Sequence, residues 1–71
     1  MITKEQLASI DYHPSDSDPS MYVRWGSWEY GYDIIKQELW CLNDGYGDPE
    51  FVGTTKNFET LKEILDMYGE L

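Results

Sequence analysis

The chain has 71 residues, with fourteen Asp and Glu against five Lys and Arg and a formal net charge of −9. It is nonetheless 41% hydrophobic and holds three Trp, six Tyr and two Phe, so it escapes the class of acidic, aromatic-poor chains that stay disordered because they bury too little apolar surface to offset chain entropy. The length fits one small domain spanning residues 1–71, the negative charge argues against direct binding of nucleic acid, and the lone Cys41 excludes an internal disulfide.

The first predicted element is a short helix. Thr3 is placed to cap it, Gln6 to return the bond, and Ile2 and Leu7 to close a hydrophobic staple around the cap. Leu7 and Ile10 share a face, and a helix this short is marginal in water, so it must dock. Residues 11–20 read as a loop, because Pro14 and Pro19 bracket a Ser-Asp-Ser-Asp run.

From Met21 the period becomes two. Met21, Val23 and Trp25 alternate with Tyr22 and Arg24; after Gly26-Ser27, Trp28, Tyr30, Tyr32 and Ile34 alternate with Glu29, Gly31 and Asp33. That pattern predicts two antiparallel strands joined by a tight turn. Ile35, Leu39 and Leu42 would also suit a helix capped by Asp33, but the aromatic density favours a turn around Lys36-Gln37-Glu38 and a strand from Leu39 to Leu42. That segment ends in Asn43-Asp44-Gly45, residues 45–49 read as a loop and Phe51–Thr55 as a further strand. The final helix is capped by Asn57, carries Phe58, Leu61, Ile64, Leu65 and Tyr68 on one face and stops at Gly69. Glu59 with Lys62, and Lys62 with Asp66, are spaced to pair on its outer surface. The expected architecture is α+β: an antiparallel sheet of three or four strands, the C-terminal helix across one face and the short N-terminal helix at an edge.

One long helix cannot cover two sheet faces. With Trp25 and Tyr30 on one face, Tyr22 and Trp40 point to the other, and aromatic surface is left for a partner or for a second copy of the chain unless the first helix and the 11–20 loop cover it. Acid is also concentrated. Asp11, Asp16 and Asp18 stand unopposed in one loop, and Glu38, Asp44, Asp48 and Glu50 in the stretch from Gln37 to Thr55. Such loops either steer a basic surface toward the protein or simply keep an aromatic chain soluble.

Catalytic and metal chemistry find little support in the residues. The single His13 and the single Cys41 are far apart in sequence, no phosphate loop or nucleophile elbow is present, and Asp33 with Glu38 is an unspecific carboxylate pair. Cys41, between Trp40 and Leu42, reads as a buried strand cysteine. The oxygen-rich loops around Asp11-Tyr12-His13 and residues 44–50 lack EF-hand order, and the usual zinc ligand sets are missing. No enzyme activity, cofactor or metal is therefore expected. The first residues carry no apolar leader and no apolar run approaches the roughly 18 residues of a membrane span, so the expected location is the cytoplasm.

Two functional expectations follow. The first is a small acidic inhibitor or adaptor, a protein-binding module that engages the basic surface of a nucleic-acid-handling protein, in part by mimicking nucleic acid. Small proteins of bacterial viruses, plasmids and immunity systems share this general character. The expected contact residues are Trp40, Asp44, Tyr46, Asp48 and Glu50, where aromatic anchors meet an unopposed acidic loop. The second is a homodimer or larger scaffold assembled through an exposed aromatic sheet face.

Overall fold

The computed structural model describes residues 1–42 and 48–71. They form α1 (Lys4–Ser9), β1 (His13–Pro14), β2 (Met21–Trp25), β3 (Glu29–Asp33), β4 (Glu38–Cys41), β5 (Glu50–Thr54) and α2 (Phe58–Met67). The strands make one antiparallel sheet in the order β1-β2-β3-β4-β5, each paired with its neighbour in sequence. The fold is α+β with five strands, where the sequence suggested three or four. The additional strand is β1: His13 pairs with Val23 and Pro14 with Tyr22. A proline hides a strand from pattern reading, yet it is tolerated here because the strand lies at the sheet edge and needs no donor on its outer side.

Both helix starts follow their local signals. Thr3 and Gln6 form a reciprocal capping box, and the Asn57 side chain accepts a hydrogen bond from Thr60 N at 3.2 Å. Both helices end in a Schellman turn. In α1, Asp11 N bonds Ala8 O and Tyr12 N bonds Leu7 O; in α2, Gly69 N bonds Asp66 O and Glu70 N bonds Leu65 O. The left-handed residue is Asp11 (φ 69°) in the first and Gly69 (φ 75°) in the second; glycine enters this region without a Cβ penalty, and Asp visits it occasionally because its short polar side chain can bond locally.

The buried core comprises Ile2, Leu7, Tyr12, Tyr30, Tyr32, Leu39, Leu61 and Leu65. Strand register explains its composition. Tyr30 and Tyr32 of β3 pair with Arg24 and Tyr22 of β2 and with Cys41 and Leu39 of β4, so all six side chains point to one face, on which α1 and α2 lie. Tyr68 at the end of α2 stacks on Tyr30, with ring centroids 5.8 Å apart, and the Tyr32 hydroxyl donates to Thr55 O. On the outer surface of α2, Lys62 pairs with Glu59 at 3.0 Å and lies over the Phe58 ring.

Two polar devices hold the ends of this layer together. The β3–β4 turn spans residues 34–37 and ends in Gln37 at φ 56°. The buried Gln37 amide bonds both the N–H and the carbonyl of Ile2 and the carbonyl of Ile34, tying the amino terminus to the turn. At the other end Glu70 reaches back from α2: its carboxylate accepts from Ser27 N and Trp28 N and lies 3.7 Å from the Arg24 guanidinium, whose Nε donates to Ile10 O. A Cβ on Gly26 would sit 1.7 Å from a Glu70 carboxylate oxygen, so glycine is required there to admit the carboxylate.

Candidate functional site

The helices leave the opposite face of the sheet uncovered. Register places Met21, Val23 and Trp25 of β2, Glu29, Gly31 and Asp33 of β3, Glu38 and Trp40 of β4, and Phe51 and Thr54 of β5 on that outer face. This corrects the pairing of rings expected from sequence: Tyr22 lies on the same face as Tyr30, half-buried against the core, while Trp25 joins Trp40 outside. The cause is the β2–β3 connection, which uses Gly26, Ser27 and Trp28 and so sets Trp25 opposite Glu29. A two-residue turn would have set Trp25 opposite Trp28 and inverted the assignment, since one residue of slip exchanges the two faces. Trp25 and Phe51 remain 64% and 52% exposed.

At the centre of the outer face Gly31 leaves room for its neighbours to close over the strand. A Cβ there would approach both Leu42 Cδ1 and Met21 Sδ to 3.0 Å. Met21, Leu42, Trp40 and Pro49 line a depression of about 280 Å³ together with Asp18, the buried Asp33, Glu38 and one cation, Lys36. Each of these acids is held in place. Asp33 accepts from Ile35 N and Lys36 N, both at 3.0 Å; Asp18 accepts from Ser20 N and the Ser20 hydroxyl; Glu38 accepts from the Trp40 indole N–H at 3.4 Å. The Ser20 amide and then its hydroxyl hold the Asp18 carboxyl below the ordinary carboxylate range, and Lys36 acts in the same direction. Phe51 packs against Trp40 from β5, with ring centroids 5.2 Å apart. A second depression of about 480 Å³, toward β1, is bordered by Val23, Trp25, His13, Asp16 and Glu29.

The predicted contact residues fare unequally. Trp40 lies on the outer face, and Asp48 is exposed beside Pro49 of the depression. Glu50 is exposed but pairs with Cys41, so its register directs it to the helix side, away from Trp40. Asp44 and Tyr46 lie outside the described residues. The two acidic loops leave opposite ends of the meander, yet Asp18 from one and Pro49 from the other border the same depression. Met21, Leu42, Phe51, Asp18, Asp33 and Glu38 were not singled out from sequence as contacts; period-two alternation marks several of them once the turn length is known.

Cys41 is half-buried on the helix side beside Tyr30. Among the described residues no cluster of three or more His, Cys, Asp and Glu is disposed to hold a metal ion, and no helix is long and apolar enough to cross a membrane. No described family, characterised protein or solved structure matches this chain.

Proposed function

We propose that this protein is a cytoplasmic binding module, an inhibitor or adaptor and not an enzyme, whose outer sheet face docks on the basic surface of a nucleic-acid-handling protein. The observation that carries the reading is the composition of that face: Trp25, Trp40, Phe51, Met21 and Leu42 form an apolar floor, and Asp16, Asp18, Glu29, Asp33 and Glu38 border it. Apolar and aromatic anchors contribute most of the energy of protein interfaces, while a rim of one charge selects and steers a partner of the other. The two depressions are open rather than enclosed, a shape suited to protruding side chains of a partner.

The test is retention of proteins from a cell lysate on the immobilised chain, with outer-face variants run in parallel. The expected result is a protein with a basic nucleic-acid-binding surface, retained at low salt, released by salt, and lost from both Trp25→Ser/Phe51→Ser and Asp18→Asn/Glu38→Gln columns. Retention that ignores all four substitutions would refute the outer face as the docking surface. The exposed rings also favour a second reading, self-assembly through the same face. A dimer that tightens as salt rises and dissociates on Trp25→Ser/Phe51→Ser would replace the first.

A further inference from the structure

We propose that the depression between Met21, Leu42 and Trp40 is a receptor for a single arginine side chain of the partner, a reading that rests on the outer face being the docking surface. Its dimensions suit this role. At about 280 Å³ it falls at the lower limit of small-ligand pockets, which run to about 300–1,000 Å³, and so offers room for one long side chain.

Its chemistry is divided as an arginine is divided. The apolar part of the lining presents a thioether, a leucine, a proline ring and an indole, which accept an aliphatic stem and the flat face of a cation. The polar part of the lining presents three carboxylates, that of Asp33 from a buried residue, and one ammonium, leaving two net negative charges. These carboxylates are ordered without a ligand: Asp33 by the amides of its own turn, Asp18 by Ser20, Glu38 by the Trp40 N–H. Ordering the acceptors beforehand lowers the entropy lost on binding. A guanidinium suits this arrangement better than an ammonium, since it is planar, weakly hydrated and forked, and can stack on indole while donating to carboxylates. Lys36 sits in the same lining as the resident cation, and an incoming guanidinium must compete with it.

The experiment is a titration of the ¹⁵N-labelled full chain with acetyl-Gly-Arg-Gly-amide at low salt, followed through the Trp40 indole N–H and the backbone signals of Met21, Asp33 and Leu42. A citrulline peptide, equal in shape and uncharged, is the control. The arginine peptide is expected to give saturable shifts at these positions and the citrulline peptide to bind about tenfold more weakly or not at all. Asp18→Asn and Glu38→Gln should each weaken the arginine peptide about two- to fivefold, and Lys36→Gln should strengthen it by a similar factor. The opposite sign at Lys36 separates a cation receptor from general damage to the rim. Equal binding of the citrulline peptide, shifts confined to other parts of the chain, or no saturation would overturn the proposal. A lysine peptide bound as tightly as the arginine one would overturn the choice of a guanidinium. If the arginine peptide leaves Trp40 unmoved while a basic protein still needs Trp25 and Phe51 for retention, the receptor falls and the docking face stands. If the peptide saturates the depression while retention ignores the outer-face variants, the docking face falls.

Discussion

Replacing Glu70 by Ala should remove about 3 kcal/mol of stability, although the residue lies at the end of the sequence and beyond the last helix. Its side chain is only 1% exposed, accepts from two turn amides and faces the 11%-exposed side chain of Arg24. Breaking a buried ion pair by removing one partner costs about 3–5 kcal/mol, because the other charge is left uncompensated. The lower end applies, since Ser27 and Trp28 are exposed and their amides regain water, and Arg24 keeps the Ile10 carbonyl. A chain of this length has a total stability of about 4–11 kcal/mol, so the variant should melt about 12–24 °C lower. Gly26→Ala should act through the same atoms, because its methyl group would occupy the place of the carboxylate. Urea denaturation of both single variants and the double variant provides the cycle. Gly26→Ala is expected to cost about 2–3 kcal/mol alone and under about 1 kcal/mol once Glu70 is gone. Strict additivity, or a loss below about 1 kcal/mol for Glu70→Ala, would refute the reasoning.

Further predictions concern the buried polar groups. The Tyr12 hydroxyl is buried and has no hydrogen-bond partner in the described structure, so Tyr12→Phe should raise stability by about 1 kcal/mol in the same denaturation assay. Burial, more than any neighbouring charge, raises the pKa of the Tyr12 and Tyr32 hydroxyls far above the ordinary phenol value. A raised folded pKa means that the unfolded chain loses its phenolic protons first; stability is therefore complete below about pH 10, the unfolded value, and falls as pH rises beyond it. Tyr12→Phe should make that fall shallower, measured as the urea midpoint from pH 8 to 11. At Gln37 the sign of one substitution separates two effects: Gln37→Gly relieves the left-handed backbone but deletes three hydrogen bonds of the side-chain amide. A net loss of about 1–2 kcal/mol is expected, and a gain would show that backbone strain outweighs the tie to Ile2.

What the sequence makes legible is mostly local. The Thr3–Gln6 box, the Asn57 cap and the Gly69 stop are carried by residues three or four apart, whose spacing alone specifies the contact. Alternation locates β2 and β3 to within a residue or two, because strand periodicity survives without knowledge of the partner, and aromatic density does the same for β4. The facing of the strands is not local. It depends on whether Trp28 belongs to the turn or to the strand, a difference of one residue that decides whether Trp25 is core or surface. Nothing in the vicinity of Arg24 or Gly26 announces Glu70, which meets them across more than 40 residues of sequence. The grouping of Asp18, Asp33 and Glu38 around Trp40 likewise requires the strand order, since their loops and strands become neighbours only through the meander.

Charge is distributed unevenly across the two sides of the sheet, and that asymmetry yields a kinetic prediction. Lys4 lies in α1 and Lys62 in α2, Lys56 lies just before α2, Arg24 is buried, and Lys36 alone of the five basic residues joins the rim of the outer face. A basic partner approaching that face therefore meets a nearly unopposed acidic field, which accelerates encounter at low salt and is screened within about 10 Å at 0.1 M. In the proposed complex the apolar side chains of that face hold the partner. Asp18→Asn/Glu38→Gln should then slow association and flatten its salt dependence while leaving dissociation nearly unchanged, whereas Trp40→Leu should speed dissociation with little effect on association. A second copy of the chain would behave in the opposite manner, because docking two outer faces brings two acidic rims together. Salt would relieve that repulsion, and Asp18→Asn/Glu38→Gln would strengthen the dimer rather than slow its formation. Surface plasmon resonance of these variants at several salt concentrations separates the two cases by the sign of the charge effect. Equal changes in both rates for both classes of variant would contradict the division of labour between rim and floor.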